Sequence, residues 1–237
     1  MKNNLIFLAL LAFLLTSCAT PSIKQNNPIG KVYKDSVQLR NKTIPLLEGE
    51  WKVIGRGFSG MNNEYFQLVL IKETERREMH SSIIIATDTL RNSYIGYLPC
   101  KYCNRMDVHH IAVKNNARGG AQDCWLINHY QMSVNPKRQA IKEAYNYMIS
   151  NHCTIPKIMI ESFHRFTGKH IKSKMLEVRY YYNPEVQGFE PPTDPSWGTS
   201  DWHPLQIQRD PKKFEYIKIL KKEGAIMHER IREGFGE

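Results

Sequence analysis

The spacing of apolar residues changes along this chain, and that change most limits the folds open to it. Seven stretches are short, rich in aliphatic and aromatic residues and bounded by turn residues, which is typical of β-strands. Two longer stretches instead repeat apolar residues at helical spacing. The predicted strands cover residues 46–58, 64–72, 81–88, 108–113, 123–133, 157–166 and 174–182. Strands followed by a helix, a hairpin and a second helix predict a single α+β domain with an antiparallel sheet of hairpins, one mid-chain helix and one C-terminal helix.

Both predicted helices begin at a capping residue followed by proline. Asn135-Pro136 and Asp210-Pro211 combine a good N-cap with proline at the first helical position, and they predict helices over 136–150 and 210–234. Gly224 interrupts the second helix at a cost of about 1 kcal/mol relative to alanine, so we expect a kink or break there. The proline-rich segment 183–209 is either a binding loop or, as we favour, an arm that packs its tryptophans onto the domain.

The amino terminus has the pattern of an export signal. Lys2 precedes an apolar run from Leu5 to Leu15, which is shorter than the roughly 20 residues that a membrane-spanning helix needs. Leu15-Thr16-Ser17-Cys18 resembles the lipobox of bacterial lipoproteins. That resemblance implies that Cys18 receives a diacylglycerol, that residues 1–17 are removed and that the new amino terminus is acylated. Ala19 after the cysteine implies the bacterial outer membrane, with the domain facing the periplasm.

The segment after the signal is polar and has little periodicity. We expect residues 18–45 to form the lipidated cysteine and a flexible tether that adds nothing to the core, and residues 46–237 to form the globular domain. The chain carries 33 Lys and Arg against 23 Asp and Glu, a formal charge of +10. The excess is diffuse, so we favour an ordinary solvated basic surface, with attraction to an anionic membrane surface as the alternative. With no nucleic-acid-binding motif present, the expected partners are the membrane, through the lipid anchor, and anionic envelope components or an envelope protein, and not a nucleic acid.

Four cysteines remain beside Cys18, which predicts disulfides in an oxidising compartment. They are Cys100, Cys103, Cys124 and Cys153, and they allow three pairings. We favour one cross-link from the C-x-x-C region to Cys124, with the other two cysteines paired or free. A zinc site that also uses His109 or His110 and His129, and a redox-active C-x-x-C, are the alternatives.

The sequence contains no G-x-S-x-G, P-loop or dinucleotide-binding motif, which favours a non-catalytic role without a cofactor or a metal. One group of residues has the chemistry of a general base and its orienting partner, although no recognisable nucleophile accompanies it. Its members are Asp107, His109, His110, Asp123 and His129. A metal-assisted hydrolase that uses this group is therefore one alternative function.

Two further resemblances bear on function. Gly49-Glu50-Trp51 resembles the G-x-W start of lipocalins, in which the tryptophan closes one end of an eight-stranded fold around an apolar ligand. This implies a carrier of a small apolar ligand as a second alternative. The C-terminal part, from Tyr181 through Trp202-His203-Pro204 to Phe235, is similar to the ends of exported bacterial proteins and implies no particular activity. We therefore expect a membrane-anchored envelope lipoprotein with a binding or accessory role.

Overall fold

The computed structural model describes residues 22–60, 63–89, 96–169 and 174–236, which form a single α+β domain. The strands are β1 (Val32–Tyr33), β2 (Ser36–Leu39), β3 (Lys42–Pro45), β4 (Trp51–Ser59), β5 (Tyr65–Glu73), β6 (Met79–Asp88), β7 (His110–Asn115), β8 (Asp123–Gln131), β9 (Ile158–Thr167) and β10 (Met175–Tyr182). The α-helices of the described residues are α1 (Gln139–Ser150) and α2 (Pro211–Phe235). Eight strands form one antiparallel sheet in the order β1-β4-β5-β6-β10-β9-β8-β7, and β2 pairs with β3 in a separate hairpin. The predicted fold class, including both helices, is confirmed.

The strand order differs from that of a lipocalin. Lipocalins arrange their eight strands up and down in chain order, whereas here β10 lies between β6 and β9 and β7 lies at an edge of the sheet. Trp51 opens β4, is buried, and donates its indole N–H to the carbonyl of Leu47 at 2.7 Å.

Helix α1 packs on one face of the sheet, here called the α1 face, because two glycines of β4 allow a close approach. A Cβ on Gly55 would overlap the carbonyl oxygen of Ala140 and lie 2.9 Å from the Cβ of Ala144. A Cβ on Gly57 would lie 3.1 Å from the backbone nitrogen of Ala140. The helix therefore rests directly on the β4 backbone.

Helix α2 crosses the opposite face, here called the α2 face, without the predicted kink. It runs unbroken from Pro211 to Phe235, and the carboxylate of Asp210 caps it by accepting from the backbone N–H groups of Lys212 and Lys213. Gly224 lies where the helix meets the sheet, since a Cβ there would sit 2.8 Å from the ring of Trp125. The prediction of a kink is wrong because this glycine provides space for a neighbour and does not interrupt the helix.

The prediction of a flexible tether is wrong for residues 22–45. These residues form β1, β2 and β3, and Val37, Leu39 and Ile44 are fully buried in the main core. Lys42 is also buried, and its ammonium group contacts the carboxylate of Asp88 at 2.8 Å. Residues 22–45 therefore belong to the folded domain. Cys18 and the signal lie outside the described residues.

The remaining segments follow the predictions in part. Helix α1 begins at Gln139 instead of Pro136, because the preceding Arg138 is extended and occupies the N-cap position. The segment 183–209 is a packed arm: its Trp202 is fully buried and lies 5.1 Å from the ring of Phe189. No helix among the described residues is both long enough and apolar enough to cross a bilayer.

Candidate functional site

The structure joins Cys103 to Cys124, as the favoured cross-link predicts. The two Cα atoms are 6.1 Å apart, while Cys100 and Cys153 are free thiols. Burial raises the pKa of the Cys153 thiol to about 11, which keeps it protonated and unreactive. Because Cys103 and Cys124 are bonded to each other, neither provides a thiolate for zinc, and Cys100 and Cys103 do not form a redox pair.

Two of the predicted catalytic candidates, Asp107 and His129, contact the same tryptophan of the arm. Trp197 stacks on the His129 ring at 4.0 Å, and the Arg105 guanidinium lies 3.8 Å from the centre of the indole ring. The indole N–H donates to Asp107, and His129 Nε2 lies 3.1 Å from the Trp197 carbonyl oxygen. Arg105 also pairs with Asp107 and lowers the pKa of that carboxyl to about 2. These contacts fix the arm to the sheet.

A third candidate, His109, lies beside His129 and close to His203 of the arm. The ring centres of His109 and His129 are 6.0 Å apart, and those of His129 and His203 are 6.1 Å apart. Burial and the neighbouring imidazoles lower the pKa of His109 to about 3, and burial lowers that of His129 to about 4. Both rings are therefore neutral at neutral pH, and among the described residues neither ring donates an N–H to a carboxylate that could orient it as a base.

The other two candidates lie elsewhere, so the predicted five-residue cluster does not form. His110 packs against Trp125 at 4.4 Å, and Asp123 binds His228 and Arg232 of helix α2. Within the described part of the chain, no three His, Cys, Asp or Glu side chains are arranged to hold a metal ion.

A hydrogen-bonded chain runs from Asp123 into the core. His228 Nε2 lies 2.8 Å from the Asp123 carboxylate, and the Nδ1 atoms of His228 and His164 are 3.2 Å apart. His164 Nε2 lies 2.9 Å from the hydroxyl of Ser162. With Asp123 ionised, one direction of donation satisfies every group: Ser162 donates to His164, His164 to His228 and His228 to Asp123. Ser162 is 1% exposed beneath helix α2, so substrate does not reach it and the chain is structural.

The clearest binding feature is a groove on the α1 face, between helix α1 and the segment that carries Cys103. Its volume is about 430 Å³, and apolar and aromatic side chains form most of its wall. Four tyrosines contribute, namely Tyr102, Tyr130, Tyr145 and Tyr181. Small-molecule sites typically have this size and this kind of lining, with a few polar groups that fix the orientation of the ligand.

The charged groups of this groove are all cationic. Lys137, Arg138 and Arg179 line it, and no carboxylate from the described part of the chain does. Neither Lys137 nor Arg138 forms a side-chain hydrogen bond or ion pair with any described residue, and both are exposed. Both residues lie just before the first turn of helix α1. That turn contains no acidic residue, and no side chain caps the start of the helix. The positive end of the helix dipole therefore adds to the cationic character of this wall.

The floor of the groove is held in place by buried ion pairs. Arg179 binds Glu161 and Glu177, each at 2.8 Å, and its guanidinium lies 4.8 Å from the Tyr102 ring. Burial alone would raise the pKa of Glu177, but Arg179 and Arg165 outweigh it and lower that pKa. Because its partners fix its position, Arg179 presents a preorganised surface to the groove.

No protein-family model matches this sequence, and neither a curated protein nor a solved structure is significantly similar to it.

Sequence reasoning missed this groove and the chain of histidines. The groove draws side chains from β6, β8, β10, helix α1 and the 3-10 turn at 102–104, so no short motif contains them. A weak signal exists for His164 and Ser162, since period-two spacing along β9 places both on the same face as Ile160. That pattern indicates burial but does not identify a partner.

Proposed function

We propose that this chain is a lipid-anchored protein of the bacterial cell envelope whose folded domain binds small organic anions. Leu15-Thr16-Ser17-Cys18 supports the anchor. The Cys103–Cys124 disulfide supports an oxidising compartment outside the cytoplasm, since such bonds are rare in the cytosol of most organisms. Neither the hydrolase alternative nor the lipocalin-like fold has a structural observation in its favour.

The observation that carries the binding role is the cationic, tyrosine-rich groove. Its tyrosines and aliphatic side chains suit a flat apolar or aromatic body, and Lys137 and Arg138 suit a carboxylate, sulfonate or phosphate attached to it. Since no acidic side chain among the described residues lines the groove, an anionic ligand meets no carboxylate directly there. An uncharged ligand gains nothing from the two cations. This modifies the carrier hypothesis, because the expected ligand is amphipathic and not purely apolar.

Reversing the charge of Arg138 is expected to weaken binding of an aromatic anion about tenfold or more, because a charge-assisted contact is worth about 1.5–3 kcal/mol. The probe is anilinonaphthalene sulfonate, followed by fluorescence titration of the disulfide-bonded protein. Lys142→Glu is the matched control, since Lys142 is exposed on the same helix but does not line the groove. We expect Lys142→Glu to retain the affinity of the unmodified protein.

Phenylnaphthylamine has the same rings without the sulfonate and tests the role of charge. We expect it to bind more weakly than the sulfonate and to be insensitive to Arg138→Glu. Equal affinity for the two probes, or equal effects of the Arg138 and Lys142 substitutions, would contradict the proposal.

A further inference from the structure

The chain joins the folded domain almost immediately after the proposed anchor. The backbone N–H of Asn26 donates to the carbonyl of Ser22 at 3.1 Å, and the Arg56 guanidinium binds the carbonyl of Asn27 at 3.0 Å and that of Lys24. Ser22 is four residues after Cys18. A fully extended chain of four residues spans at most about 14 Å. An anchor at Cys18 would therefore hold one end of the domain against the bilayer.

The pairing of strands shows which end this is. Arg56 lies near the end of β4, and the neighbouring Phe58 begins a row of directly paired residues that crosses the sheet to Asp123 on β8. The row passes through Phe66, Thr87, Leu176 and Phe166. The amino-terminal segment and the start of β8 therefore lie at the same end of the sheet, which we call the anchor end.

A basic cleft of about 710 Å³ opens at the anchor end, on the side of helix α2. Lys114, Lys169 and Lys174 line it, and Asp123 is the acidic residue among its described lining residues. Asp123 is already paired with His228 and Arg232. Among the described residues, the lining of the cleft therefore has a net positive charge, with no further carboxylate beside its three lysines.

Arg40 extends this basic surface toward the amino-terminal segment. Arg40 and Ile23 line the same small cavity, and the Arg40 guanidinium donates to the carbonyl of Asp88 at 3.0 Å. The side chain of Asp88 accepts from the backbone N–H of Met175, next to Lys174 of the cleft. Buried Lys42 contacts the Asp88 carboxylate at 2.8 Å and Arg40 lies 3.7 Å from it, so the two cations exceed this one carboxylate by one positive charge.

We propose that the anchor end lies on the membrane surface and that the basic cleft binds the phosphate groups of anionic phospholipids. This proposal rests on the lipid anchor of the proposed function. It adds to that function an orientation of the domain on the membrane and a second binding site. Each basic residue near an anionic membrane surface adds a weak attraction to it. Because the anchor brings the cleft to the bilayer, even this weak attraction is enough to select one orientation.

The test uses the lipidated mature protein in vesicles of phosphatidylcholine, with or without phosphatidylglycerol, and measures amide hydrogen exchange. We expect the amides around Lys114 and Lys169 to exchange about tenfold more slowly when phosphatidylglycerol is present. The double substitution Lys114→Glu and Lys169→Glu is expected to abolish this protection. The matched control, Arg76→Glu and Lys157→Glu, makes the same charge change at exposed sites at the other end of the sheet and is expected to retain it.

Raising the sodium chloride concentration to about 1 M should also remove the protection, since it shortens the Debye length to about 3 Å. Equal exchange in both kinds of vesicle, or equal effects of the two double substitutions, would overturn the inference. Protection by inorganic phosphate in phosphatidylcholine vesicles would assign the cleft to free phosphate and also overturn it. A mature protein whose mass shows no lipid would instead refute the anchor, so the two failures are distinguishable.

Discussion

Lowering the pH from about 7 to about 5.5 is expected to remove about 4 kcal/mol from the free energy of unfolding. Burial, together with neighbouring imidazoles, holds the pKa values of His109 and His164 far below 6.5, and burial lowers that of His129 to about 4. The unfolded chain protonates these residues near pH 6.5 and the folded chain does not. Stability is therefore complete above pH 6.5 and falls as the pH drops, by about 1.4 kcal/mol per pH unit for each histidine.

Urea denaturation followed by circular dichroism at both pH values measures this effect. His129→Asn removes one of the groups responsible and should reduce the loss by about 1 kcal/mol. His152→Asn is the matched control, because His152 is exposed, and it should leave the loss unchanged. The same urea midpoint at pH 7 and pH 5.5 would show that these histidines are not held neutral by the fold. The negative charge of Asp107 raises the pKa of His129, but burial lowers that pKa by more, so the imidazole stays neutral.

Replacing Gly55 with alanine is expected to destabilise the domain by about 3 kcal/mol. The added methyl group would overlap the Ala140 carbonyl oxygen, so helix α1 would have to move away from β4. The matched control is Gly198→Ala, because Gly198 has no atom within 4 Å of an added Cβ and should change stability by less than about 0.5 kcal/mol. Thermal unfolding of both variants provides the comparison. Similar midpoints for the two would mean that α1 does not pack on β4 as described.

Local chemistry predicted the elements of this fold better than their contacts. The Asp210-Pro211 signal identified the start of helix α2 because the cap involves only Lys212 and Lys213, its immediate neighbours. Asn135-Pro136 did not identify the start of helix α1. There the docking of Ala140 onto β4 and the bond from the Arg56 backbone to Glu143 accompany a later start at Gln139.

The misassigned residues share one physical cause, which is a distant partner that the sequence does not reveal. From the sequence alone Gly224 is expected to break the helix, but in the structure it leaves room for the ring of Trp125. From the sequence alone Lys42 is expected to be a solvated residue of the tether, but in the structure it is paired with Asp88. The alternation of Val37 and Leu39 in β2 was the available signal for a strand, but it spans only four residues.

The candidate site was predicted less completely than the fold. The cross-link from the C-x-x-C region to Cys124 is confirmed, because few cysteines limit the pairings. Of the five proposed acid–base residues, His110 and Asp123 lie apart from the other three, since strand alternation and the path of the arm decide which neighbours they meet. Arg138 and Arg179 line the same groove only once helix α1 docks on β4, which no local pattern encodes.

The central claim is that the chain leaves the cytoplasm, is lipidated at Cys18 and folds with the Cys103–Cys124 disulfide closed. Intact-mass analysis of the protein purified from membranes, with and without reduction, tests it most directly. We predict a polypeptide that begins at Cys18, carries the mass of a diacylglycerol and an acyl chain, and gains the hydrogens of one opened disulfide on reduction. An unmodified chain that begins at Met1, with a mass unchanged by reduction, would contradict the claim.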